Sequence, residues 1–398
     1  MSGKLHVLSI GGGIAGPALA LFLKRAGVSQ AVYEAYDSGD GVGAGLGLAP
    51  NGMNVLDALG LAEKLKARGS LALDWNFRDE RGRVLAQLSI DQAKYGQPVM
   101  SMMRADIYAV LADEMRKQSI PVHYGKRLDR IIQTADGRKV VAYFADGSEA
   151  EGDLLVGADG IHSRTRSQIM PDAPQPEFVG ITGIGGKVPR SEVPALSPYD
   201  AKSFNFTFGP QGFFGYCGGS AGEEMWWANL PRQTPYSEDD YKFLSPAVLC
   251  DQLMERFGGY CEPIPSLIAR TPEIMALNIF DIQSLPRWHR DRVILIGDAA
   301  HAVSPNAGQG ASLALEDSMY LAKLLRDSSD YSEAFERFER DRKPRVERIV
   351  AAGRRAASDK TIVSPLVSKM RNVMIGLMLR VFGMPGQDWA FRYRIQWD

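Results

Sequence analysis

An apolar strand, His6-Val7-Leu8-Ser9-Ile10, runs into Gly11-Gly12-Gly13-Ile14-Ala15-Gly16 and then into an alanine- and leucine-rich helix that reaches about Ala26. A G-x-G-x-x-G turn between strand and helix commits this end of the chain to a parallel sheet of βαβ type. The glycines allow the tight turn and a close approach to the backbone, and the free N–H groups at the helix start form an anion site. The next strand, Ala31-Val32-Tyr33-Glu34-Ala35, carries an acid near the 20-residue separation at which a carboxylate meets a ribose hydroxyl. An acid at position 34 disfavours a 2′-phosphate there. The unit predicts nucleotide binding without saying which nucleotide.

Two further elements narrow the choice. Near the far end, a strand over Arg292 to Ile296 leads into Gly297-Asp298-Ala299-Ala300-His301, followed by Pro305 and by Gly308-Gln309-Gly310. Gly297 lets a ligand approach the backbone, and Asp298 offers a carboxylate to hydroxyl groups. The Gly308–Gly310 turn opens a helix whose positive end can face a developing negative charge. In the middle, Asp153-Leu154-Leu155-Val156-Gly157-Ala158-Asp159-Gly160 ends in an acidic turn, with Arg164 and Arg166 close behind. That turn is read as a loop beneath a pyrophosphate, with the arginines available to the phosphates of a second dinucleotide.

Bulk properties exclude other classes. The chain has 398 residues, with 46 Lys and Arg against 47 Asp and Glu. That length is enough for two or three domains, and the charge balance gives no basic field to attract nucleic acid. Cys217, Cys250 and Cys261 make neither a disulfide framework nor a metal spacing, and the five histidines show no metal spacing either. No metal is expected. The early strand leaves no room for a signal peptide, and the apolar run Val373 to Leu379 is too short to span a bilayer. A cytoplasmic protein without a membrane span is the expectation.

The three elements, in this order, resemble those of the FAD-dependent single-component aromatic hydroxylases: the class A flavoprotein monooxygenases, with the para-hydroxybenzoate hydroxylase fold. The resemblance runs from about residue 5 to residue 355. Gly43-Ala44-Gly45-Leu46-Gly47-Leu48-Ala49-Pro50-Asn51 is similar to the family segment that passes the flavin. Arg104, in Met103-Arg104-Ala105-Asp106, matches the family arginine at a helix start near the cofactor. The resemblance implies FAD as cofactor, with contacts at Gly11, Gly13, Ile14, Ala15, Gly16, Glu34, Gly45, Arg104, Leu128, Asp159, Gly297, Asp298, Pro305, Gly308, Gly310 and Ala311. Asp298 is expected on the ribityl hydroxyls, Pro305 at the flavin's reactive edge, and the helix start at Gly310 against anionic flavin. Ala311-Ser312 stand where the family often has an asparagine, so no side-chain amide is expected there.

The implied reaction uses NAD(P)H and O2 to hydroxylate an aromatic, polycyclic phenolic or heteroaromatic small molecule through a flavin C4a-hydroperoxide, and no catalytic side chain is assigned. Other flavin reactions on this fold (epoxidation, Baeyer–Villiger-type oxidation, antibiotic inactivation, reduction) and a non-catalytic flavin-binding protein are the alternatives. Monomer and homodimer both remain open.

The implied fold is α/β, of mixed α+β character. A discontinuous Rossmann-like FAD-binding domain takes residues 1–72, 101–172 and 276–330. A mostly antiparallel substrate sheet takes 73–100 and 173–275, and a C-terminal helical segment takes 331–398. The alternation Phe204-Asn205-Phe206-Thr207-Phe208 puts three rings on one face. Phe206, Phe208, Phe214, Tyr216, Met225 and Trp227 are expected around a flat ligand, with Tyr216 as its polar contact; no Arg or Lys is evident among these strands. The charged helix over 333–355, including Arg345, is read as a solvated face. The Met-rich helix Pro365 to Phe382 is read as packing across the two domains or at a dimer interface, with a membrane-surface role as the lesser alternative.

Overall fold

The computed structural model describes residues 5–37, 45–358 and 362–398. Gly43 and Ala44 of the expected flavin-passing segment lie outside the described residues.

The all-apolar strands stack side by side because both of their faces are buried. His6–Ile10 pairs in parallel with Leu154–Gly157 on one side and Ser29–Tyr33 on the other. Val293–Leu295 and Val122–His123 extend this parallel core, and His289–Arg290 closes one edge antiparallel, giving six strands. Ala15–Arg25 covers the sheet with nine consecutive buried residues, Ala15 to Leu23. Gly310–Asp327 packs beside it, and the Ser318 hydroxyl donates to the Ala15 carbonyl at 2.9 Å.

The second sheet has seven strands in the order Ile274–Asp281, Glu177–Pro189, Glu223–Pro231, Gly212–Gly218, Ser203–Gly209, Asp74–Asp79, Val84–Ser89. Its pairs are antiparallel except Ser203–Gly209 with Asp74–Asp79, which is parallel. Asp74–Asp79 and Val84–Ser89 form a hairpin that joins this sheet at one edge. The expected boundary at residue 275 cuts through the edge strand Ile274–Asp281, which pairs with Glu177–Pro189 from Glu177↔Asp281 to Gly186↔Ile274. A small sheet of Gly45–Leu48, Val99–Met103 and Ser70–Ala72 packs against the seven-stranded one. Its glycines are tight: Gly45 sits against Met225 and Gly47 against the Phe204 ring, so a larger side chain at either would strike the second sheet.

One C-terminal reading needs correction and a second is narrowed. Tyr331–Ser358 is not a solvated face throughout. Arg342 and Arg345 are buried together with Phe335, Phe338, Val346 and Ile349, because acids on Gly310–Asp327 wait opposite them. Pro365–Phe382 lies against the Val84–Ser89 edge of the seven-stranded sheet, and it turns small and polar residues inward. Ser368, Asn372 and Gly376 are buried, Asn372 Nδ2 donates to the Phe208 carbonyl at 3.0 Å, Ile375 and Leu379 pack half-buried on the core, and most of the helix's other large apolar residues point outward.

Candidate active site

The N-terminal turn holds its shape because the positions require glycine. Gly11 has φ +107°, and a Cβ there would collide with the Ala158 carbonyl; one on Gly16 would collide with the Gly11 carbonyl. The Gly12 N–H donates to Glu34 Oε2 at 2.5 Å and the Tyr36 N–H to Glu34 Oε1 at 3.0 Å, which aims the carboxylate across the turn. Ile14 and Ala15 are buried at the helix entrance. Leu128, also buried, starts a strand just beyond Lys126, whose N–H donates to the Glu34 carbonyl.

The middle loop sits directly beneath that turn, but its charged residues serve the loop itself. Asp159 accepts from Ser163 Oγ at 2.6 Å, from Thr165 N–H at 2.9 Å and from Thr165 Oγ1 at 3.0 Å. Arg166 is buried and donates to the carbonyls of Ile161 at 2.6 Å and Ala299 at 3.0 Å; Arg164 donates to the Leu128 carbonyl at 2.9 Å. The arginines read as phosphate ligands are therefore engaged as ties, one of them joining this loop to the Gly297-Asp298 segment.

That segment arrives at the same place. Gly297 has φ +56°, and a Cβ built on it would stand 3.3 Å from both Ala15 and Ala314, so three distant stretches of chain meet there. Asp298 opens the short helix Asp298–His301. Its side chain is accessible within a recess walled by protein and makes no hydrogen bond among the described residues. The surrounding protein pushes its carboxyl pKa upward, opposed by His301 and Arg104. Arg104, the first residue of Arg104–Lys117, is exposed and reaches toward Gly13 without a hydrogen bond or ion pair among the described residues. An open carboxylate and an open guanidinium thus flank a glycine turn. These groups fit a ligand with hydroxyls and a pyrophosphate.

Below the recess lies a buried polar layer with no sequence motif to announce it. Asp317 Oδ2 takes the Gly297 N–H at 2.9 Å and His301 Nε2 at 2.5 Å, while Arg342 Nε donates to Asp317 Oδ1 at 2.8 Å. Arg342 also meets Glu316 at 2.6 Å, and Arg345 holds Glu316 through two bonds of 2.9 and 2.8 Å. Asn51 Nδ2 bridges Glu316 at 2.6 Å and Gln309 Oε1 at 2.9 Å. Burial opposes ionisation of Asp317, but His301, Arg342 and the Gly297 N–H outweigh it and hold its carboxyl at about 2. The layer fixes the Gly297-Asp298 turn from behind and anchors Gln309, the N-cap of Gly310–Asp327. Gly308 is left-handed at φ +61°, Pro305 and Gly308 are exposed, and Gly310 and Ala311 begin the helix.

Strand register sorts the six expected substrate residues. Phe206 pairs with Gly215 and Gly215 with Trp227, so these share one face, and a side chain at Gly215 would strike the Trp227 indole. Phe206 and Trp227 meet edge-on at 6.2 Å, and both are only half-buried. Phe204, Phe208, Phe213 and Met225 lie on the same face but are buried. Phe208 belongs to the packing beside the C-terminal helix, where Arg371 stacks on its ring.

Phe214 and Tyr216 fall on the reverse face, because successive residues of a strand point oppositely. Phe214 stacks on Trp226 at 5.3 Å, and Tyr216 Oη accepts from Arg78 Nη1 at 3.0 Å. The Tyr216 phenol, expected to contact the ligand, is bonded instead to Arg78, a cation of this sheet that the sequence reading missed. Asn229, also missed, lies on the same face as Trp227, and its Nδ2 donates to Asn306 Oδ1 at 3.0 Å, joining that face to the Pro305–Ala307 turn.

Residues 4–353 match the FAD binding domain family. The chain belongs to the class A FAD-dependent monooxygenases. This flavoprotein is 32% identical over 357 residues to an FAD-dependent urate hydroxylase of Klebsiella pneumoniae, covering 88% of this chain and 89% of that one. It is 30% identical over 357 residues to a 6-hydroxynicotinate 3-monooxygenase of Pseudomonas fluorescens, covering 88% and 90%. Its fold superposes on Klebsiella pneumoniae HpxO complexed with FAD and uric acid at a TM-score of 0.86, with 26% identity, over 98% of this chain and 97% of that one. FAD is accordingly the cofactor of this flavoprotein. No helix among its described residues is long and apolar enough to cross a membrane.

Proposed function

We propose that this flavoprotein uses NAD(P)H and O2 to hydroxylate a flat aromatic or heteroaromatic small molecule lying on the Phe206–Trp227 face. The observation that carries the reading is the half-burial of these two rings on a face whose other rings are buried, next to the Asn229–Asn306 link. Apolar walls with a few placed polar groups are the usual make-up of a small-molecule site. Relatives named for urate, hydroxynicotinate and aminohydroxybenzoate chemistry support a ring substrate.

The residues take the following parts. N–H groups from Gly13 to Gly16, with Ile14 and Ala15 at the helix entrance, receive the pyrophosphate, Gly11 gives the turn its shape, and Glu34 takes a ribose hydroxyl. Leu128 and the Asp159 loop border the adenosine end by their backbone. Asp298 accepts from the ribityl hydroxyls, and Arg104 faces the phosphates. Gly45 passes beside the ring system, Pro305 borders its reactive edge, and the helix start at Gly308, Gly310 and Ala311 places N–H dipoles against negative charge. Bound FAD supplies oxygen activation at its C4a position and transfer to the substrate. The chain binds, orients and excludes water.

A screen of ring compounds tests the reading. NAD(P)H consumption should rise with a compound whose product gains one oxygen atom by mass; consumption that no compound alters, with no oxygenated product, contradicts it.

A further inference from the structure

The helix Pro365–Phe382 departs from the usual amphipathic arrangement, in which apolar residues are confined to the core side, by carrying a second apolar face outward. Its inward side carries Ser368, Asn372 and Gly376 together with the half-buried Ile375 and Leu379, which pack on the core; Gly376 is closely opposed to the Leu85 backbone and Asn372 is bonded to the Phe208 carbonyl. Its outward side is a stripe of Leu366, Met370, Val373, Met374, Leu377 and Val381, each 58 to 70% exposed. At 3.6 residues per turn these six lie on one continuous face about 22 Å long. Isolated exposed apolar residues are ordinary; a continuous stripe of this length marks an interaction surface.

Charge selects the partner. Lys369 and Arg380, both exposed, flank the stripe on one side; Arg371, on the other, is held inward by the Gly209 carbonyl and the Phe208 ring. Ile362 to Gln387 contains no Asp or Glu. Two copies laid stripe to stripe would bring cations together with no acid on either helix to pair them. An anionic lipid surface supplies the complementary charge and takes the apolar stripe at once, while lysine and arginine reach outward to headgroups. We infer that this helix docks the protein in-plane on an anionic lipid surface, its stripe in the headgroup–acyl boundary.

Co-sedimentation of the FAD-loaded full chain with lipid vesicles tests this. Vesicles of phosphatidylcholine carrying about one phosphatidylserine in three should retain the protein, pure phosphatidylcholine far less, and salt should weaken the retention. Met370→Glu with Leu377→Glu should abolish retention with the flavin absorbance unchanged. Lys369→Glu with Arg380→Glu keeps the stripe and should remove the preference for phosphatidylserine, by about fivefold per charge. Retention equal on both vesicle types, or no retention, overturns the inference. A dimer in solution that Met370→Glu with Leu377→Glu converts to monomer also overturns it and assigns the stripe to a second copy.

Discussion

One face of the seven-stranded sheet packs Phe214, Tyr216 and Trp226 beneath the helices Pro246–Phe257 and Ile264–Arg270; the other turns Phe204, Phe206, Phe213 and Trp227 toward the nucleotide-binding unit. The strands are the same and the rings are chemically alike. On the helix side every ring is sealed, and polar atoms find fixed partners: Trp226 Nε1 donates to Thr271 Oγ1 at 2.7 Å, and Tyr216 accepts from Arg78. On the other side Phe206 and Trp227 keep open surface, and the polar residue nearby, Asn229, is bonded to a turn rather than to another core residue. Aromatic content therefore says little about a binding wall; which face a ring takes, and whether its neighbours close over it, decides.

Substitutions of adjacent tryptophans break or sharpen this contrast. Trp226→Ala should cost ~3–5 kcal/mol of unfolding free energy, the range for emptying a large buried ring site, with FAD stoichiometry retained in the fraction that folds; denaturant unfolding measures it. A loss under about 1 kcal/mol would mean that the helix side is not a rigid core.

The nucleotide side has its own rigid element in Asp317. Its carboxyl lies at about 2 in the folded protein, against an ordinary 3.8. A depressed carboxyl contributes stability above the unfolded value, and that contribution falls away as pH drops through the folded value. Between about pH 5 and about pH 2 the protein should lose about 2 kcal/mol from this group. Asp317→Asn should be less stable at neutral pH and should lack that part of the acid dependence. Parallel acid profiles for the two proteins would contradict the assigned role.

Trp227→Ala should leave stability within about 1 kcal/mol, because its ring is only half-buried. It should lower kcat/KM for the accepted substrate about tenfold or more, a loss of ~1.4 kcal/mol in transition-state binding. Steady-state kinetics read it; an unchanged kcat/KM would remove Trp227 from the wall. The smallest effect on catalysis is expected of Tyr216→Phe: about 1.5 kcal/mol of stability, the lower end for a hydrogen bond to a charged group, with kinetics unchanged. A kinetic defect there would restore Tyr216 to the substrate side.

The legible parts of the molecule were those in which backbone geometry dictates residue type. Gly11 and Gly16 have no room for a side chain, and Gly297 needs both a positive φ and close neighbours, so each leaves a mark on the sequence. The strands flanking them are apolar on both faces and read as a parallel sheet. The aromatic strands were legible only as strands. Phe213 and Phe214 are equivalent in composition, and their opposite fates depend on register with strands distant in sequence.

Arg342 and Arg345 were hidden differently. On the Tyr331–Ser358 helix they look like their solvated neighbours Arg337 and Arg340, and only the buried Glu316 and Asp317 across the interface distinguish them. Asp159, Arg164 and Arg166 show the converse: a motif position was visible, but its side-chain partner was the protein itself.

The most direct measurement is a crystal structure of the FAD-loaded protein. The account predicts the pyrophosphate on the Gly13–Gly16 N–H groups, the ribityl hydroxyls on Asp298, and the ring system between the Gly308–Gly310 helix start and the Phe206–Trp227 face. Ring density on the Phe214–Tyr216 side, or a ribityl chain out of reach of Asp298, would contradict it.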